Sequence, residues 1–455
     1  MEPSGRRRGY LREFLRSRSG VAGLVLLVAL FATSAFVVAT TSPSQVQRWQ
    51  NPAAWEGNPQ AAPPAWVNYF GVDAPQTVQL SLGRWSNLSS GAGGAFSASA
   101  SFSWEHGVPA SDLAVVPVFK GQVYEMDVTW TKPDGSSVVM SVSSPVSGSF
   151  YDATSSSFKQ GIAQFIQAQT GAYVSSVTTP QEVAALFGQD GRDLLNSSVQ
   201  RGTYTVAVEV LGARGLAPSS WEVSVVGDSY GTMGTDSSGR PIDLGVLAGL
   251  PWALEIGSLG SVVAVVGGVL WGGLSGFLGG AKDRAMSWGT LVILATPGLA
   301  FIVALSYNVR LTLLSEALII AGLSWPVFAI IARTVSLSIK SQTYVEADRA
   351  MGVSQLRTFT THFLTRLTPV TVAFTALSVS GFIITGETLA FLGIEPANVI
   401  TWGGILNAAI SFDASVHGWW WWVLFPGVMI IVASLPFVLV GFALDRVVAP
   451  RVSAR

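Results

Sequence analysis

"TYVEADRAMGVSQLRTFTTHF", residues 343–363, carries Glu346, Asp348, Arg349, Arg357 and His362 between two apolar runs of membrane-spanning length. So many charges cannot lie in hydrocarbon, so the segment has to stand outside it. Residues 343–351 read as a helix, and Gly352 as the left-handed residue that ends it. Ser354 then caps a second helix reaching toward His362. Tyr344, Ala347 and Met351 are spaced three and four apart and share one face. Two short helices at an angle, hung between spans, form a knob whose face fits a groove in a partner. An amphipathic loop lying on the membrane satisfies the same spacing equally well.

The composition fits that setting. The chain has 455 residues, of which 49% are hydrophobic and only 12% charged, with a mean hydropathy of +0.46. Soluble domains carry roughly a quarter charged residues. A net charge of −1 gives no basic surface for nucleic acid. The absence of cysteine excludes disulfides, iron–sulfur clusters and thiolate zinc sites. His106, His362 and His417 are too scattered for a metal-ligand pattern. No GxxxxGK[ST] occurs, so the chain has no phosphate-binding loop of its own.

Working outward, residues 1–19 are basic, and 20–41 are uncharged and long enough for a first transmembrane helix with its N-terminus inside. A cleaved signal peptide would have a shorter apolar region. Residues 42–243 differ in composition, rich in Ser, Thr, Gly, Pro and Val. "VYEMDVTW" and "GTYTVAVEV" alternate like half-buried strands. "SSFKQGIAQFIQAQ" and "TPQEVAALFGQDGRDLL" read as short helices, Thr179 and Pro180 suiting an N-cap and N1 pair. A β-rich, sandwich-like domain with a helical insertion is expected, and the Ser/Gly-rich stretch 86–103 reads as too polar and flexible for its core. Its 16 acidic and 9 basic residues identify no ligand; Asn87 and Asn196 fit glycosylation sequons.

Further spans are expected near 251–277, 288–309, 315–339, 367–389 and 419–443, six in all. Lys and Arg gather in alternate loops: Lys282 and Arg284, then Arg333, Lys340, Arg349, Arg357 and Arg366, then Arg446, Arg451 and Arg455, against Arg310 alone in the short loops between. The positive-inside rule then puts both termini and the loop 341–366 in the cytoplasm and 42–243 outside. The membrane part is 244–447, with a tail at 448–455.

Two motifs carry a resemblance. "EADRAMG" followed ten residues later by His362 resembles the EAA loop of ABC-importer permeases, with Glu346, Ala347, Gly352 and His362 in register. Asp348 stands where those proteins usually have Ala, and Thr365 where their first Pro stands, while Pro369 matches a second. "GTDSSGR", with Gly234, Thr235, Asp236, Gly239 and Arg240, looks like the signature of the C-type subunit of dipeptide and oligopeptide permeases, Pro241 replacing its final Asp. "FLGGAKD", "SWPVFAIIAR", "LAFLGIEP", "TWGGIL" and "LFPG" extend the likeness, which covers 230–451 well, 1–41 weakly and the domain between not at all. The resemblance implies a type I permease fold and alternating access without covalent chemistry. It implies a second, B-type permease, an extracellular substrate-binding protein, and two ATPase subunits that hold the ATP and Mg. The chain itself is expected to bind no cofactor. Members carry peptides, oligosaccharides or nickel. A membrane-anchored receptor or scaffold is the competing class, for which six spans and a coupling loop are excessive; no catalytic set supports an embedded enzyme.

Other features keep two readings each. "GTDSSGR" is also a turn into the membrane. Gly268, Gly272, Gly276 and Gly280 recur every four residues, a smooth ridge for helix packing or for sliding contact. Glu255 and Glu387 lie in spans and either line a substrate path or make structural hydrogen bonds near the interface. Trp419 to Trp422 form an aromatic belt, although four successive indoles surround a helix and some must face protein.

Overall fold

The computed structural model describes residues 14–82, 84–88, 94–153, 155–171, 179–189, 194, 198–213, 216–219, 221–306, 311–396 and 399–448. Arg6, Arg7, Arg8, Arg12, Asn196, Arg310, Arg451 and Arg455 lie outside them. The chain divides into two compact units, Met1–Gln50 with Leu244–Arg455, and Asn51–Asp243.

The second unit is built on antiparallel sheets. Strands β1 (Val78–Leu82), β2 (Ser86–Asn87), β3 (Gly94–Trp104), β4 (Asp112–Val116), β5 (Phe119–Lys120), β6 (Val123–Thr131), β7 (Ser137–Ser143) and β8 (Tyr151–Asp152) come first. Helices α3 (Ser156–Thr170) and α4 (Thr179–Phe187) follow, then β9 (Gly202–Gly212), β10 (Ala217–Pro218) and β11 (Trp221–Val226). Five strands run in the order β2-β3-β9-β6-β7, four in the order β1-β11-β4-β8, and β10 pairs with β5. Inward residues of both larger sheets and of α3 share one core, among them Met126, Trp130, Val206, Val223 and Ile162. Its buried aromatics satisfy their polar ends on backbone carbonyls: Trp130 Nε1 donates to Leu186 O at 2.9 Å and Trp221 Nε1 to Val118 O at 2.7 Å.

Here the structure corrects the expectation for 86–103. Residues 94–103 belong to β3, a central strand of the larger sheet. "GAFSASASFSW" alternates, so Ala98, Phe102 and Trp104 turn into the core while the serines take the other face. Period-two patterning outweighs a low average hydrophobicity. The second expected helix is also shorter: α4 stops at Phe187, and Gly188 pairs with Val199 in a β-bridge.

The membrane unit contains α1 (Arg18–Thr40), the short α2 (Pro43–Gln50), α5 (Ile242–Leu278), α6 (Gly280–Leu294), α7 (Gly298–Ser306) and α8 (Leu313–Lys340). Then come α9 (Thr343–Ala350), α10 (Gln355–Thr358), a π-helical turn (Phe359–Leu364), α11 (Thr365–Phe391), α12 (Trp402–Ser411) and α13 (Trp420–Val448). Among the described residues, five helices are long and apolar enough to cross a membrane, and six if the bent pair α6–α7 counts as one. That pair replaces the continuous span expected at 288–309. It bends by 68° where Pro297 lacks an amide donor and disfavours helical backbone at Thr296. The helix α12 was not expected from the sequence.

Small residues set the packing. A Cβ on Gly272 would fall 1.9 Å from Ala329 O, and Gly268 and Gly276 also abut α8, so the ridge is the α5–α8 contact. Gly280 is not part of it: with φ +62 it starts α6 after the break at Gly279. Arg333 of α8 ties α6 to this contact, donating from Nε and Nη2 to the two oxygens of Asp283 at 2.7 Å each. On the other side α1 lies along α13, with Gly23 against Val440 and Phe31 edge-on to Phe437.

Candidate functional site

The knob between α8 and α11 is built from the inside out. Val345 and Phe363 are fully buried and pack with Phe277 and Ile339, which fastens α9 and the π turn to α5 and α8. α9 ends at Ala350 with Met351 as its C-cap, and Gly352 follows with φ +72, a left-handed conformation with open space where a Cβ would stand. Ser354 caps α10, accepting from Arg357 N. The chain then passes through the π turn into α11, with Phe359 and Thr365 at its two ends in right-handed helical backbone.

The site residues expected in the knob divide in two, and the face expected to unite Tyr344, Ala347 and Met351 is split between them. Glu346, Ala347, Met351 and Gly352 are exposed. Tyr344 and His362 are half-buried on the inner side, their rings 5.0 Å apart. The tip is apolar: Met351 is 71% exposed and Leu356, which the sequence analysis did not single out, 74%. Beneath it Asp348 Oδ2 lies 3.0 Å from His362 Nε2 and accepts from Thr358 Oγ1 at 3.2 Å. Arg366 sits over the Tyr344 ring, 5.0 Å from its centroid. A rigid base therefore presents an unpartnered apolar tip flanked by an acid.

"GTDSSGR" has a different geometry. Asp236 is buried and accepts from Ser238 N and Arg240 N at 2.9 Å each, and from Arg240 Nε. Thr235 Oγ1 donates to Pro59 O at 2.6 Å and accepts from Ala62 N at 2.9 Å. Gly234 and Gly239 take φ +78 and +76. A Cβ on Gly239 would meet Trp55 O at 2.8 Å. Asp236 and Thr235 are thus engaged by the loop itself and by residues 59–62, while Ser237 Oγ has no hydrogen-bond partner among the described residues; the arrangement is that of a turn.

The two glutamates expected in spans part company. Glu255 is exposed on α5. Glu387 is buried, and its Oε2 accepts from Gly403 N in the first turn of α12. Sequence reasoning missed Glu316 on α8, also buried, although a lone acid in an apolar run is the usual signal. Glu316 Oε2 and Glu387 Oε1 have no hydrogen-bond partner among the described residues. Trp421 and Trp422 are buried and Trp420 is exposed, so the four indoles serve both protein and surroundings.

Comparison with known proteins points the same way as this architecture. Residues 268–454 match the family described as "Binding-protein-dependent transport system inner membrane component". The chain is 29% identical over 227 residues to the probable D,D-dipeptide transport system permease protein DdpC of Escherichia coli (strain K12), covering 49% of this chain and 74% of that one. It is 26% identical over 228 residues to the oligopeptide transport system permease protein OppC of Haemophilus influenzae (49% and 71%). Identity to the glutathione transport system permease protein GsiD of Pectobacterium atrosepticum is 29% over 224 residues (49% and 73%). The family match lies wholly in the membrane unit, outside residues 51–243. Residues 268–454 of the membrane unit are thus similar to the inner-membrane components of binding-protein-dependent transport systems, and these relatives are peptide and glutathione permease proteins.

Proposed function

We propose that this chain is a permease subunit of a binding-protein-dependent ABC importer that moves di- and oligopeptides across the cell membrane by alternating access. It pairs with a B-type permease. Two ATPase subunits, which hold ATP and Mg, dock on the knob at 341–366 from the cytoplasm. A substrate-binding protein delivers cargo from outside, where residues 42–243 stand. Closure of the ATPase dimer pushes the knob, the spans that carry it tilt, and the outer mouth opens; hydrolysis resets the gate. Peptide cargo is favoured over oligosaccharide or nickel because the relatives' names are those of peptide and glutathione permeases.

The observation that carries this reading is the knob itself, with an apolar tip of Met351 and Leu356 on a base fixed by Val345 and Phe363. An exposed apolar tip on a fixed support is the arrangement of an interface anchor. Replacing Met351 and Leu356 together by Ser should leave membrane insertion intact and abolish co-purification of the ATPase subunits. Normal association and uptake in that variant would overturn the docking role.

A further inference from the structure

One contact in the knob has no counterpart in the sequence pattern it resembles. Asp348 stands where Ala is usual, and its carboxylate joins two pieces of the knob that the chain connects only through Gly352. On one side is α9, which carries Asp348. On the other are Thr358, which closes α10, and His362 in the π turn. Thr358 Oγ1 donates a hydrogen bond to Asp348 Oδ2 at 3.2 Å, and His362 Nε2 lies within ion-pair distance of the same oxygen, at 3.0 Å. The backbone adds a third link, Val353 N to Asp348 O at 2.9 Å. Tyr344 and Arg366 stack behind His362 in series.

The alternative to this clasp is a hinge. Gly352 is left-handed with nothing within 4 Å of where a Cβ would stand, so no side chain packs on the turn itself, and what holds the two pieces together is the Val345–Phe363 packing beneath and the contacts of Asp348. The π turn fits the same scheme. An extra residue in the helical turn rotates the residues after it relative to an uninterrupted α-helix, and His362 lies inside that turn, facing back toward α9.

We propose that Asp348 is a positioning residue that clamps α9 to His362 and Thr358, so that motion of a docked ATPase passes into α11 instead of being absorbed at Gly352. The proposal rests on the docking role of the knob. It assigns Asp348 and His362 to coupling and leaves binding to the tip.

The test uses the assembled transporter in vesicles, with a labelled peptide and its binding protein. Asp348→Ala should keep the ATPase subunits bound and hydrolysing, while peptide imported per ATP falls about fivefold, the scale of losing one coupled contact in a charge and hydrogen-bond network. His362→Ala should do the same, and the double variant should be no worse than either single one. Asp348→Asn, which keeps an accepting oxygen, should restore most of the ratio; a purely structural role would move melting temperature and not this ratio. A wild-type ratio in Asp348→Ala, or additive losses in the double variant, would overturn the clamp. Retained ATPase association in the Met351/Leu356 serine variant would instead overturn the docking role, so the two failures are told apart.

Discussion

The loop at 234–240 and the knob at 343–364 are both short, glycine-punctuated and charged, yet their side chains face opposite ways. In the first, Asp236, Thr235 and both glycines are engaged by neighbours within a few residues or by 55–62. In the second, the polar groups brace the interior while Met351 and Leu356 stand in the open. A recognisable motif therefore does not locate a functional surface. A motif whose carboxylate, threonine hydroxyl and arginine are engaged within the chain, as Asp236, Thr235 and Arg240 are, has a structural task. One whose base is packed and whose apolar tip is bare has an outside partner to find.

The contrast breaks first, and with the largest effect, at Asp236. Asp236→Ala removes the acceptor for two backbone amides and leaves the Arg240 guanidinium without its carboxylate. Stripping one member of a buried, charge-assisted set costs about 3–5 kcal/mol. Hydrogen exchange in the full chain should then show loss of protection at residues 58–65 and 229–242, with the knob unaffected. Unchanged protection there would mean that the loop is not the tie its geometry describes.

How much of this was legible in the sequence follows from where the signals are local. Gly352 and Ser354 were readable because a left-handed turn and a cap depend on two or three neighbouring residues. The apolar spans were readable from length and charge, except at Pro297, where a single residue divides one run into α6 and α7. The strand β3 was misread because its serines lowered the average while its alternation carried the information. Asp348 was visible only as a departure from a pattern; that it meets His362 depends on the π turn, which has no local signature. The burial of Glu387 against Gly403 needed α12, a helix absent from the sequence expectation.

A second prediction tests what a buried acid does without an arginine. Asp112, at the start of β4, accepts from Leu113 N at 2.7 Å and Ala153 N at 3.2 Å and has no ion pair among the described residues. Burial, with Asp152 nearby, pushes its carboxyl up to about 6 from an ordinary value of 3.8. Folded chains keep this proton while unfolded chains lose it. The stability it contributes is therefore full below pH about 4 and is lost as pH rises toward 6. The change is on the order of 1–3 kcal/mol. Hydrogen exchange of β4 and β8 amides between pH 4 and 7, corrected for intrinsic rates, should show weakening protection, and Asp112→Asn should flatten it. A flat wild-type profile would place the carboxyl back in the ordinary range.

The smallest effect is expected at Gly352, and it sharpens the comparison most. Gly239 and Gly352 share nearly the same backbone, φ +76 and +72. A side chain on the first collides with Trp55 O, whereas on the second it meets nothing. Gly352→Ala should therefore cost only the left-handed penalty, about 1 kcal/mol, read as a modest loss of protection at the Val353 amide that bonds Asp348 O. Because the left-handed turn at Gly352 fixes where Met351 and Leu356 stand, Gly352→Ala will lower transport far more than it lowers stability. A variant equally impaired in both would mean that Gly352 serves the fold alone, as Gly239 does.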